Sequence, residues 1–245
     1  MQSGSNEAGS LVRVHNSVLV AGERKLLAKL AAALPKGVTP DHLTGLGVVG
    51  AGFILVGCLA AHLNAAFFLI AVLGLGINWF GDSLDGTLAR HRGIERPRYG
   101  FFVDQFSDVA AHFLMLFGLG LSPIMRLDVA LMALLGSLAI MFYGHLKLQF
   151  SRTWQVSHYG VGPTELRIVI AAGLLWAVVM DGVPSVSTPV GTITMFDAVG
   201  FLVFLGSIAC IGLMFAADRA KIAAIDPPRN RVPAEVIVKP LNVNS

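Results

Sequence analysis

The sequence predicts an all-α polytopic membrane protein with six transmembrane helices, preceded by an amphipathic helix lying in the membrane interface. Three observations carry this prediction. Of 245 residues, 55% are hydrophobic and only 13% are charged, about half the charged share of a soluble domain. No Asp, Glu, Lys or Arg interrupts the chain from His42 to Gly81. That run is long enough for a hairpin of two spans at roughly 20 apolar residues each. Finally, Lys and Arg collect in alternate loops, the bias that orients multi-pass proteins.

Taken in order, residues 17–34 read "SVLVAGERKLLAKLAAAL". Leu26, Leu27, Leu30 and Leu34 recur at helical spacing, with Arg24, Lys25 and Lys29 partly opposite. The basic character favours a helix in the lipid interface over one packed on the protein itself. Span one is expected at 44–62 and span two at 65–89, turning near "AHLNA". Span three covers 100–121, and span four, "VALMALLGSLAIMFYGHL", covers 128–147. Span five starts at "GPTELR", where Pro163 suits a first helical turn, and ends near Val183. Span six covers 195–217, with Asp197 as a cap at its edge. From Asp218 the segments "DPPRN", "VPAE" and "KPL" read as extended chain. The organisation is therefore an N-terminal segment over 1–37, a membrane domain over 38–217 and a tail over 218–245.

Charge then orients the spans. Arg24, Lys25, Lys29 and Lys36 precede span one, and Arg90, Arg92, Arg96 and Arg98 follow span two. Lys147, Arg152 and Arg167 follow span four, and Arg219 and Lys221 follow span six, whereas Arg126 stands on the other side. Both termini and the end of span two are thus expected in the cytoplasm. Cys58 and Cys210 lie in apolar runs and make no disulfide framework. The net charge of +3 does not imply nucleic acid as a partner. The N-terminus lacks the long apolar stretch of a cleavable signal peptide.

Against this apolar background stands "DSLDGTLARHRGIERPRYGFFVDQFSD", from Asp82 to Asp108. Asp82 and Asp85 are three apart and Asp104 and Asp108 four apart, so each pair shares a helix face. Two carboxylates 4 Å apart repel by roughly 4 kcal/mol at an effective dielectric near 20. Four of them must share protons, separate or bind cations. Hard oxygen ligands suit Mg²⁺, Mn²⁺ or Ca²⁺, and two bridged divalent ions make the clamp used for in-line phosphoryl displacement. Gly86 and Ala89 lie on the aspartate face, Arg90 lies one turn beyond Gly86, and Gly100 lies one turn before Asp104. These bare patches leave room for a bulky ligand, and the Arg90 fork suits a phosphate. A single such Asp reads as a cap or a loop ion pair, and Gly86 alone as helix packing. The alternative for the whole group is a divalent-cation transporter with the aspartates as its pathway. That alternative requires a polar line across the bilayer, which the outer halves of the spans lack.

Asp82-x-x-Asp85-Gly86-x-x-Ala89-Arg90 followed by Gly100-x-x-x-Asp104-x-x-x-Asp108 resembles the signature of the CDP-alcohol phosphotransferase family. The spacer from Arg90 to Gly100 is one residue longer than the commonest form. "TPDHLTGLG" resembles the family's entry to the first span, with Asp41 where Asn is usual and Thr44 retained. The resemblance implies transfer of a phospho-alcohol from a CDP-alcohol, such as CDP-diacylglycerol, to an acceptor hydroxyl, with release of CMP. It implies Asp82, Asp85, Asp104 and Asp108 as ligands of two Mg²⁺ or Mn²⁺ ions, and Asp108 as general base. Asp82, Gly86, Ala89, Arg90, Gly100 and Thr44 would line the CDP site. It further implies a homodimer in a bacterial cytoplasmic membrane. Arg167 and His112 are candidates for the acceptor side, against plain readings as a membrane-edge anchor or partner of Glu165 and as a packed histidine. Arg92, Arg96 and Arg98 are expected to meet anionic lipid. The acceptor alcohol stays open among serine, glycerol phosphate, inositol phosphate and amino alcohols.

Overall fold

The computed structural model describes residues 12–14, 20–151, 153–155, 163–189 and 191–225. In chain order these form β1 (Val12–Val14), α1 (Val20–Ala33), α2 (Pro40–Ala60), a 3₁₀ turn (Ala65–Phe67) and α3 (Phe68–Arg92). There follow α4 (Pro97–Gly120), α5 (Leu127–Ser151), β2 (Thr153–Gln155), α6 (Pro163–Val179), β3 (Ser185–Thr188), β4 (Gly191–Thr194) and α7 (Met195–Ile225). β1 pairs in parallel with β2, and β3 pairs with β4 as a short hairpin. The chain divides into two units, residues 1–211 and 212–245; the described part of the second is helix up to Ile225.

Among the described residues, five helical segments are long and apolar enough to cross a membrane: α2, the 3₁₀ turn with α3, α4, α5 and α7. The sixth expected span is α6, which has 17 residues. At 1.5 Å per residue that is about 26 Å, against a hydrocarbon core of roughly 30 Å. It stops short of Val183 because Asp181 adopts a left-handed φ of 50° and Gly182 a φ of 146°. The chain there turns into the β3–β4 hairpin. The tail also differs from expectation: α7 continues through Asp218 to Ile225. Arg152 and residues beyond Ile225 lie outside the described residues.

α2 and α3 form the backbone of the site. Thr39 and His42 cap α2 reciprocally: Thr39 Oγ1 accepts from His42 N–H at 3.2 Å, and His42 Nδ1 accepts from Thr39 N–H at 3.3 Å. Along the seam between α2 and α3 the two backbones touch. A Cβ on Gly50 would lie 2.5 Å from the Asn78 nitrogen, and one on Gly74 would lie 2.6 Å from the Gly50 carbonyl oxygen. Small residues permit this approach, which is how helices pack tightly without a hydrophobic gradient in lipid. Ile54, Cys58, Phe68, Ala71, Leu119 and Leu174 fill the core further from the motif.

α1 packs on α3. Leu27 and Ala31 are buried against Leu43, Leu84 and Leu88, with Leu30 and Leu34 alongside. Leu26 is 47% exposed, so the inward face is one position round from the expected one. Arg24, Lys25 and Lys29 face outward. Glu23 anchors one end of α1, accepting from Trp79 Nε1 on α3 and Thr164 Oγ1 on α6, each at 2.8 Å. Arg92 anchors the other end by donating to the carbonyls of Leu34, Pro35, Lys36 and Val38. Arg92 is therefore a cap for the end of α1, not the lipid contact expected of it. Its five donors in a fixed fork suit that task. Asp197 behaves as expected. It accepts from Thr194 N–H and Arg126 N–H at 2.7 Å each, while its own N–H donates to Thr194 Oγ1.

Candidate active site

The α3–α4 turn decides where the aspartates meet. α3 runs three residues beyond the expected end because Gly93, at φ 65°, closes it. Gly93 N–H donates to Arg90 O and Ile94 N–H to Ala89 O, the paired bonds of a glycine-terminated helix. α4 then starts at Pro97, whose missing N–H costs nothing at a first turn. Both halves of the motif are therefore helical, with Gly93–Arg96 between them.

Across that turn, one carboxylate oxygen each from Asp82, Asp104 and Asp108 lie within 4.8 Å of one another. The expected fourth member, Asp85, points its oxygens elsewhere. Its Oδ2 accepts from Thr44 Oγ1 on α2 at 2.6 Å, and its Oδ1 accepts from the Gly86 N–H. Thr44, buried beside Pro40, is thus the partner of Asp85. Arg167 on α6 approaches the trio, with Nη2 donating to Asp82 Oδ2 at 2.8 Å and Nε to Asn78 Oδ1 at 2.9 Å. Arg167 thus brings a guanidinium to the Asp82 side of the trio.

Beside the trio lies a cavity of about 410 Å³. Asp85, Gly86, Ala89 and Arg90 line it from α3, Gly100 and Asp104 from α4, and Thr44 and Asp41 from α2. Of the residues expected at the CDP site, Thr44, Gly86, Ala89, Arg90 and Gly100 line this cavity, whereas Asp82 does not. No atom comes within 4 Å of a Cβ built on Gly100, so that wall is bare as expected. The Gly86 wall differs: the Arg90 guanidinium folds over it, 3.3 Å from a built Cβ. Asp41 stands at the cavity mouth, accepting from Tyr99 OH at 3.1 Å and Arg96 Nη2 at 3.4 Å. The Arg96 guanidinium lies 3.6 Å from the Tyr99 ring centroid. Arg96 therefore closes onto protein, another departure from the expected lipid contact.

His112 donates through Nδ1 to the Asp108 carbonyl at 2.8 Å. Its ring is thus tied to its own helix one turn from the trio. Asn78 was not legible as a site residue, yet it touches Arg167 directly. The signal for it is a carboxamide standing in a charge-free apolar run.

The donor set fits a hard divalent cation. Oxygens bound to one Mg²⁺ at 2.0–2.1 Å are about 3–4 Å apart, and the trio already converges to within 4.8 Å. Asp85 and Asp104 both face the cavity, so a ligand there meets carboxylate from both helices.

The chain is similar in sequence to known proteins. The profile of the CDP-alcohol phosphatidyltransferase family matches residues 37–217. The archaetidylinositol phosphate synthase of Pyrococcus horikoshii is 32% identical over 120 residues, 47% of this chain. The chain spans 57% of the length of that relative.

Proposed function

The chain belongs to the CDP-alcohol phosphatidyltransferase family, and on that premise we propose that it transfers a phospho-alcohol group from a CDP-alcohol, with CDP-diacylglycerol as donor, to an acceptor hydroxyl. The observation that carries this reading is the convergence of Asp82, Asp104 and Asp108 beside a cavity lined by Gly86, Arg90 and Gly100. The family match favours transfer and lends nothing to a cation pathway.

In this reading CDP occupies the cavity, with its pyrophosphate toward the aspartates. Asp82, Asp85, Asp104 and Asp108 would hold Mg²⁺ or Mn²⁺, which when bound neutralises the developing phosphate charge. Arg90, with no side chain at Gly86 to obstruct it, supplies a guanidinium to the pyrophosphate. Thr44 keeps Asp85 in its rotamer. The acceptor oxygen forms a bond to the β-phosphorus as the bond to the bridging oxygen of CMP breaks. Asp108 takes the hydroxyl proton. Arg167, held beside Asp82, binds an anionic group on the acceptor, so the acceptor is a phosphorylated alcohol such as inositol phosphate. The name of the Pyrococcus relative supports that class.

The test is CMP release from CDP-diacylglycerol by the purified protein, with inositol phosphate, glycerol phosphate, serine and ethanolamine compared. Release is expected with Mg²⁺ or Mn²⁺ and a phosphorylated acceptor only. Full activity in excess EDTA would remove the metal from the reading, and preference for serine or ethanolamine would remove the anionic acceptor.

The basic loops support a cytoplasmic active site. Ile94 is 49% exposed in the α3–α4 turn, and both native cysteines are buried. Ile94→Cys is expected to react with an impermeant maleimide only in inside-out vesicles. Labelling in right-side-out vesicles reverses the orientation.

A further inference from the structure

Asn78 lies one turn before Asp82 on α3 and is 4% exposed. A buried carboxamide has both donors and acceptors to satisfy. Its Nδ2 donates to the Gly47 carbonyl of α2 at 2.9 Å, and its Oδ1 accepts from Arg167 Nε of α6 at 2.9 Å. The Arg167 guanidinium then reaches Asp82 through Nη2. Asn78 is therefore a bridge from the backbone of one helix to the charged side chain of another.

The α2 end of that bridge is stationary. A Cβ on Gly47 would sit 3.4 Å from the Asp82 nitrogen, and one on Gly50 would collide with the Asn78 backbone. The two helices meet without side chains between them, so the Gly47 carbonyl has a fixed position relative to Asn78. The far end is constrained by chemistry. A guanidinium is planar, and its donors have fixed mutual directions. Once Nε is held by Asn78 and Nη2 by Asp82, the orientation of the remaining donors is set. Without the Asn78 contact, the ion pair to Asp82 alone lets the group swing about a single bond.

We propose that Asn78 is a positioning residue that orients Arg167 to bind the anionic group of the acceptor. This rests on the role given to Arg167 above. Asn78 is not among the residues lining the cavity, and Trp79 beside it holds Glu23 of α1. The competing account is that Asn78 serves only the packing of α2 on α3.

A double-mutant cycle separates the two, with KM for each substrate measured by CMP release from CDP-diacylglycerol, using inositol phosphate and glycerol phosphate as acceptors. One hydrogen bond to a charged group corresponds to roughly tenfold or more in affinity. Asn78→Leu is accordingly expected to raise the acceptor KM about tenfold and leave the donor KM within about twofold. Arg167→Gln is expected to raise the acceptor KM more, by about 100-fold for a lost charged contact. The combined variant is expected to match Arg167→Gln alone, since residues in one network do not act additively. Additive effects on acceptor KM, or equal damage to both KM values by Asn78→Leu, would overturn the positioning role and leave the role of Arg167 standing. No effect of Arg167→Gln on acceptor KM, or no release with either phosphorylated acceptor, would overturn both. Should Asn78→Leu not elute as folded protein, Asn78→Ala enters the same cycle with the same expectations.

Discussion

Asp104→Asn is expected to abolish CMP release and the Mg²⁺-dependent binding of CDP together. Asp104 is the residue common to both halves of the site: it belongs to the trio within 4.8 Å and also lines the cavity. The change preserves shape and one oxygen but removes the charge that would help hold a divalent ion. A metal acting as Lewis acid contributes several kcal/mol to the transition state, so the loss in turnover is expected to be at least about 10³-fold. Calorimetric titration of CDP with Mg²⁺ present checks the binding half of the statement. In EDTA, wild type and variant should be alike. CDP binding that survives in Asp104→Asn with normal Mg²⁺ dependence would exclude Asp104 from the metal site.

Asp108→Asn is expected to separate binding from turnover. Asp108 is in the trio but not among the residues lining the cavity proposed for CDP. It stands one turn beyond Asp104 on α4, and Arg167 approaches the trio through Asp82. A positioned general base contributes about 10²–10⁴-fold, and that is the expected loss in CMP release. CDP binding with Mg²⁺ should largely persist. Loss of nucleotide binding equal to that in Asp104→Asn would make Asp108 an ordinary metal ligand. Near-normal turnover would take it out of the mechanism.

The aspartates were legible in the sequence because carboxylates are costly within apolar flanks, and their helical phase put them on common faces. The glycine and arginine positions of the cavity were legible for the same reason of phase. What the sequence did not disclose depends on distant partners. Arg92 reads as a loop cation, yet it serves carbonyls 54 to 58 residues away. Asp85 reads as an equal member of a quartet, but Thr44, 41 residues earlier, draws its carboxylate aside. The inward face of α1 turned on Ala31, too small to register as an apolar anchor, because α3 offers Leu84 and Leu88 at close range. α6 ends early through a left-handed residue at Asp181, a conformation that an Asp tolerates but does not announce. The Gly93 stop was readable in principle from "ARHRG", with bases in the last turn and glycine after it.

The glycine seam between α2 and α3 divides the molecule into parts with different freedom to diversify. Thr44, Asp82, Asp85 and Gly86 all stand on the two helices whose backbones touch, where an added methyl group at Gly50 or Gly74 meets main chain rather than a movable side chain. The groups assigned to the acceptor, Arg167 and Asp108, stand on helices outside that seam. On the proposed reading, acceptor preference can change through substitutions around Arg167 on α6 while the α2–α3 pair keeps its geometry. If the proposed roles hold, such a scaffold keeps its donor side fixed and lets its acceptor side vary.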